Sequence, residues 1–199
     1  MSLNEKEDLL NDVRLTCMDS AKFGLRFSEE ILGKNFDVNR KHQYTVVDFW
    51  TTACTRCPEA LDHLNGMAAT HEYENTFFIS ICCGSLEEGI GAGCDPAREI
   101  RDRAGGLNPR WNDMDGHYHT DVEGKEILKK VFGFRTVPFY AVFSKDGDVL
   151  QTGGPKSIDW DALRIEPNAV SKKNVTTERQ LNNDVSPASN NVFMIDEDF

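Results

Sequence analysis

The sequence predicts an α/β domain built on a mixed β-sheet with both faces buried. Three observations carry this. Tyr44–Trp50 and Thr76–Cys83 are strand-length runs of β-branched, aromatic and aliphatic residues, and uninterrupted apolar strands belong to sheets covered on both sides. Stretches with apolar residues three and four apart lie between such runs, so strand alternates with helix and parallel strands are joined by crossovers. The apolar runs around Lys145-Asp146-Gly147 then mark a hairpin and add an antiparallel pair.

Taken in order, residues 2–32 read as a helical N-terminal extension, within a segment 1–39. Ser2 and Glu5 form a capping-box pair, and Leu10, Val13, Cys17, Ala21 and Leu25 recur at helical spacing. Gly24 is a break and Gly33 a stop. Such a helix docks on the core or binds a partner. After the Tyr44–Trp50 strand a helix is expected over Thr55–Ala69, with Ala60, Leu61, Leu64 and Met67 on one face. The Thr76–Cys83 strand, a Gly-rich loop at 84–93 and a charged helix at Pro96–Arg103 follow. Gly124–Phe132 is a helix stopped at Gly133. The hairpin strands are Phe139–Ser144 and Asp148–Thr152, and a last helix covers Ser157–Leu163. From about Glu166 onward Asn, Ser, Thr, Lys and Pro dominate without periodicity, which reads as a disordered acidic tail over 166–199. Its end, Val192 to Phe199, sets aromatics among acids, either a short partner-binding motif or a solvated terminus. The domain proper is thus expected over 40–165.

The chain has 199 residues, with 22 basic against 33 acidic side chains and a net charge of −11. That balance argues against nucleic acid or an anionic membrane as partner, since both are bound through clustered Lys and Arg. No apolar run approaches the roughly 20 residues that span a bilayer. The first residues, Met-Ser-Leu-Asn-Glu-Lys-Glu-Asp, carry neither a basic n-region nor an apolar h-region, so a cytoplasmic location is expected. In a reducing compartment the six cysteines are buried thiols, metal ligands or redox groups rather than a disulfide scaffold.

Cys54-Thr55-Arg56-Cys57 stands directly after a buried strand and at a helix start. A thiolate there meets unpaired backbone N–H groups and the positive end of the helix dipole, which lowers its pKa. Cys54 is the outer sulfur and Cys57 lies one turn inside, the arrangement for two-step exchange: Cys54 attacks a disulfide and Cys57 resolves the mixed disulfide. The same spacing is half a zinc site, but Cys82-Cys83, Cys94 and His117-Tyr118-His119 do not supply a second half at the usual spacing. No metal is expected.

Asp48 lies six residues before Cys54 in an otherwise apolar strand. Buried beneath the helix start, its carboxyl has a raised pKa and can accept the proton of Cys57; at a strand end it reaches solvent instead. Val137-Pro138 precedes the run Phe139–Phe143. Proline cannot donate into a ladder and belongs at a strand start. A cis bond there turns the Val137 backbone toward the thiols, ready to pair with an extended peptide.

Val46-Val47-Asp48-Phe49-Trp50, Cys54-x-x-Cys57, Phe132–Phe139 with Val137-Pro138, and Lys145-Asp146-Gly147 together resemble thioredoxin-like proteins over residues 40–165. The resemblance implies a three-layer α/β/α sandwich with a central mixed sheet, a redox dithiol and a cis-proline that contacts substrate. It implies Cys54 as nucleophile, Cys57 as resolving thiol, Asp48 as buried acid and Pro138 as the cis-proline. Trp50 matches the family's tryptophan at that strand end, and Thr55, Arg56 and Val137 border the substrate. The implied partners are protein disulfides and an external reductase of the thioredoxin-reductase or glutathione type.

The departures separate the chain from thioredoxin proper. Ala53 stands before the first cysteine, Thr55-Arg56 replaces Gly-Pro, Pro58 follows the pair, and Thr76–Cys83 holds no lysine. The long 84–119 segment is more like the thiol-disulfide interchange and tryparedoxin-like groups. Arg56 beside Cys54 stabilises a thiolate, which raises the potential a few tens of millivolts above thioredoxin's, about −270 mV. Cys82 and Cys83 alternate faces at a strand end. Cys94 is an inert thiol or a partner of Cys83. His117 and His119 share a strand face, as surface residues or a peripheral metal contact.

The expected function is a protein-disulfide oxidoreductase without organic cofactor. There is no P-loop, and Gly91-Ala92-Gly93 is not a dinucleotide fingerprint. The alternative is a binding module of the same fold, docked through its N-terminal helix and acidic tail.

Overall fold

A computed structural model describes residues 3–18, 24–32, 42–84 and 111–165. The chain divides into a unit of residues 1–165 and a second of 166–199, and all described residues belong to the first. Residues 85–93 of the loop expected at 84–93, the Pro96–Arg103 helix, Cys94 and the tail lie outside the described residues.

The strands are β1 (Arg14–Cys17), β2 (Leu25–Arg26), β3 (Tyr44–Trp50), β4 (Thr76–Cys82), β5 (Gly116–Thr120), β6 (Phe139–Ser144) and β7 (Val149–Gly153). They form one sheet in the order β2-β1-β5-β4-β3-β6-β7. β3 pairs parallel with β4 and β4 with β5, while the remaining pairs are antiparallel. The helices are α1 (Leu3–Asp12), α2 (Phe27–Glu30), α3 (Cys57–Ala68) and α4 (Val122–Phe132).

Because successive strand residues point to opposite faces, β3 feeds two cores. Val46 and Trp50 pack with Cys57, Leu61 and Leu64 of α3, with Tyr140 and Val142, and with Ile158 and Leu163. Val47 and Phe49 pack on the other face with Leu10, Phe27, Leu128 and Val131 from α1, α2 and α4. Each wholly buried side chain of this size contributes about 1.5–3 kcal/mol. Helices on both faces of a mixed sheet make the three-layer, thioredoxin-like arrangement that the resemblance implies.

Local chemistry sets the ends of the elements. The Asp121 carboxylate accepts from the Gly124 N–H at 2.8 Å and caps α4. Gly133, at φ 73°, closes it in the left-handed conformation. The β6–β7 turn requires Gly147, at φ 88°, where a Cβ would also press on the Leu32 carbonyl oxygen at 3.0 Å.

Two expected elements are corrected. The helix over 2–32 ends at Asp12, and β1 follows. Leu15 is fully buried and Arg14 exposed, an alternation that lets β1 pair with β5 and extend the sheet. The described residues 13–18 and 24–32 thus belong to the same sheet and core as the rest: Val13, Leu15, Phe27 and Ile31 are all buried in it. The last helix, Ser157–Leu163, is instead two 3-10 turns, Pro155–Ser157 and Asp161–Leu163. Ile158, at φ −91° and ψ 129°, is extended and breaks the helical path, and the Gln151 side-chain oxygen holds the Asp159 N–H just after it at 2.8 Å. Among the described residues no helix is long and apolar enough to cross a membrane.

Candidate functional site

β3 ends at Trp50 and the chain turns back on itself before α3. The Cys54 N–H donates to the Thr51 carbonyl at 3.1 Å, and the Cys57 N–H to the Cys54 carbonyl at 3.3 Å. α3 starts at Cys57 rather than Thr55, with Arg56 as its N-cap and Pro58 in the first turn. Proline suits that place, where an N–H would have no helical partner. Cys54 therefore sits in the turn before the helix, not on its first turn, and Cys57 is the first helical residue rather than one turn in. Cys54 and Cys57 are joined as a disulfide, with Cα atoms 5.4 Å apart. Cys54 is partly exposed, whereas Cys57 is fully buried. Thr55 and Arg56 are exposed beside them.

Val137-Pro138 is a cis peptide bond just before β6. The Val137 carbonyl oxygen lies 3.6 Å from Cys54 Sγ, across 83 residues of sequence. A groove of ≈ 620 Å³ runs beside the pair, lined by Arg56, Thr136, Pro138, Lys156 and Ser157 among others. Its lining carries two cations, Arg56 and Lys156, and one acid, Glu59.

Asp48 is fully buried and lies between Val46 and Trp50 on the face that packs on α3 and Cys57. No protein group is within hydrogen-bond distance of either carboxylate oxygen. Burial pushes its carboxyl well above the usual carboxylate range. Tyr140, its Cα partner on β6, is also buried. Its phenol is pushed up first by desolvation and then by the Asp48 charge. Trp50 is buried and packs edge-on against Trp111 at 6.1 Å. It lines the layer under the pair rather than the outer surface.

The remaining cysteines and histidines fall into place by strand parity. Cys82 belongs to the α3-side cluster and Cys83 to the opposite one. Burial pushes the Cys83 thiol well above its ordinary range, with the neighbouring Cys82 adding to the shift. His117 is buried, not a surface residue: its Nδ1 lies 2.7 Å from Ser80 Oγ and its Nε2 3.0 Å from the Trp111 carbonyl oxygen. His119 Nε2 lies 3.2 Å from the Gly84 carbonyl oxygen. Among the described residues no group of three His, Cys, Asp or Glu is placed to hold a metal ion.

The structure thus brings Cys54, Cys57 and Val137 together, with Pro138 and Arg56 leading into the groove, Thr55 exposed beside the pair, and Asp48 and Trp50 in the layer beneath. Sequence reading missed Ser80 and Tyr140. Their only trace was a polar atom in an apolar strand, and which polar atoms meet depends on strand register.

No protein-family model matches the chain, and no curated protein does. Solved structures similar to it include the exposed lipoprotein thioredoxin Etrx1 of Streptococcus pneumoniae, 18% identical over 80% of this chain and 94% of that one, with a TM-score of 0.46. A thioredoxin-like protein from Aeropyrum pernix is 18% identical over 76% of this chain and 86% of that one, at 0.48. A thioredoxin from Wuchereria bancrofti is 14% identical over 82% and 94%, at 0.46.

Proposed function

We propose that this thioredoxin-like chain is a thiol-disulfide oxidoreductase acting on protein disulfides through Cys54 and Cys57. The observation that carries the reading is the approach of the Val137 carbonyl to the partly exposed Cys54 sulfur while Cys57 is buried behind it. One sulfur is open to a client, one is held back to resolve, and the carbonyl just before β6 stands ready to accept a hydrogen bond from an extended client backbone.

In the dithiol form, the Cys54 thiolate attacks one sulfur of a client disulfide. An S–S bond forms to Cys54 and the other client sulfur leaves as a thiolate. Cys57 passes its proton to the Asp48 carboxylate and attacks Cys54. The second client sulfur leaves, and the pair closes as the disulfide seen here. Two electrons have moved to the client, and an external thiol reductant restores the pair. The client segment runs along the groove past Pro138, Arg56 and Lys156. Cys17, Cys82 and Cys83 are outside any disulfide, which suits a reducing, cytoplasmic setting.

Cys57→Ser, incubated with a cell extract, is expected to trap clients as mixed disulfides on Cys54. Cys54→Ser is expected to trap none and to lose insulin reduction with dithiothreitol. Unchanged insulin reduction in Cys54→Ser would overturn the reading and favour a binding module of the same fold.

A further inference from the structure

Four polar side chains stand in one row across the sheet. Tyr140 of β6 is the Cα partner of Asp48 on β3, Asp48 that of Ser80 on β4, and Ser80 that of His117 on β5. Paired residues point to the same face, so the whole row lies in the buried layer under α3. Tyr140, Asp48 and Ser80 are 0% exposed and His117 is 7% exposed. A file of polar groups through the middle of an apolar layer costs stability unless it is fully hydrogen-bonded.

Half of the row is bonded, and with a defined polarity. The Trp111 carbonyl can only accept, so the His117 nitrogen 3.0 Å from it, Nε2, carries the proton of the neutral ring. Nδ1 is then the acceptor, and the Ser80 hydroxyl, at 2.7 Å, donates to it. The Ser80 oxygen is left with its lone pairs for an incoming donor. The other half of the row, Asp48 and Tyr140, meets no protein partner. Internal water is one way in which proteins satisfy groups buried like this.

Resting on the oxidoreductase reading, we propose that Ser80 and His117 are positioning residues for Asp48. They form a relay arm that draws the Asp48 proton, through one water bound between Asp48 and Ser80, toward His117. The donors all point one way: Asp48 O–H to water, water to Ser80 Oγ, Ser80 O–H to His117 Nδ1. Moving one proton along the chain leaves a carboxylate at Asp48 and an imidazolium at His117, whose Nε2–H stays on the Trp111 carbonyl. No electron moves and no bond other than O–H and N–H is broken. Asp48 then has a way to become the base that Cys57 needs even though burial favours its neutral form. The other groups on this layer are Tyr140 from β6, Cys57 from α3, Cys82 from β4 and His119 from β5, the Cα partner of Cys82. Cys83 lies on the opposite face, and Asp62 of α3 holds the Trp111 indole N–H at 2.8 Å.

The test follows Asp48 13Cγ and His117 15N shifts with pH in the reduced full-length protein. Coupled, biphasic curves for the two residues are expected; two independent single titrations overturn the relay. Ser80→Ala is expected to move the Asp48 midpoint and the acidic, rising limb of the insulin-reduction pH profile upward by about one pH unit. That shift corresponds to about a tenfold loss of rate at fixed pH on that limb. Ser80→Thr, which keeps the hydroxyl, is expected to restore both. An Asp48 titration unchanged in a folded Ser80→Ala protein also overturns it. The NMR arm does not depend on turnover. A wild-type protein that fails to reduce insulin while its Asp48 and His117 titrate together removes the oxidoreductase reading and leaves the row standing.

Discussion

Asp48 and Tyr140 face each other across the β3–β6 ladder, both fully buried, with neither the carboxylate nor the phenol oxygen in reach of a protein partner. Two polar groups held in this way beneath a disulfide weigh against stability unless they keep their protons. Burial raises the Asp48 carboxyl, and Tyr140 is raised by burial and by Asp48 together.

The first prediction concerns Asp48 and pH. In the unfolded chain its carboxyl titrates in the ordinary range, while in the folded protein it keeps its proton to higher pH. Its contribution is therefore fully present below the unfolded pKa and is lost as pH rises through the raised folded value. Asp48→Asn removes this dependence. Urea midpoints of the two proteins should diverge with rising pH, by up to about 1.4 kcal/mol per pH unit over the titrating range, with the variant the more stable. Parallel stability curves would contradict an acid kept neutral by burial.

Arg56 is exposed at the N-cap of α3, two residues from Cys54. Its fixed charge favours the thiolate and hence the dithiol form. Arg56→Ala is expected to lower the midpoint potential against glutathione by about 10–30 mV, where 30 mV corresponds to about 1.4 kcal/mol. Because the charge is exposed, the difference should fade near 1 M salt, where the screening length is about 3 Å. A potential that does not move at low salt removes Arg56 from the explanation.

A third prediction tests the joint between α4 and the edge of the sheet. Asp121→Ala removes the cap on the Gly124 N–H and should cost about 1 kcal/mol. Gly124→Ala sets a methyl group against Thr120 Oγ1, which is itself committed to the Arg14 carbonyl at 2.9 Å. Despite alanine's better helix propensity, a loss of about 1–3 kcal/mol is expected in chemical denaturation. A stabilised Gly124→Ala protein would mean that Thr120 gives way freely.

The fourth prediction follows from the asymmetry of the pair. Alkylation of the reduced protein at neutral pH should label Cys54 well before the buried Cys57. Peptide mapping after a brief pulse of iodoacetamide checks this, and equal labelling would mean that Cys57 is not held back as the resolving thiol.

Much of the site was legible in one dimension because its chemistry is local. A C-x-x-C after an apolar strand, an acid inside that strand and a proline opening another are features of short stretches, and turn and helix-start physics act over a few residues. The helix start itself was misplaced by two residues because Pro58 was not weighed as a first-turn residue. The N-terminal segment misled for a related reason. Leu10, Val13 and Cys17 fit a helical period, and Val13, Leu15 and Cys17 fit an alternating one. The choice fell to β5, whose Thr120 takes up the Arg14 carbonyl from 106 residues away.

By themselves the residues determined the class of fold and the place of the Cys54-x-x-Cys57 pair between a strand and a helix, and they left Asp48 buried or at solvent as two readings, since apolar periodicity and turn chemistry are written within each segment. Tertiary pairing alone decided what lies beside what: the Val137 carbonyl at the Cys54 sulfur, and the file from Tyr140 to His117. A strand shifted by one residue turns every side chain to the other face. Which polar atoms meet in the core is therefore a property of register, and register is settled only when all the strands of the sheet pack at once.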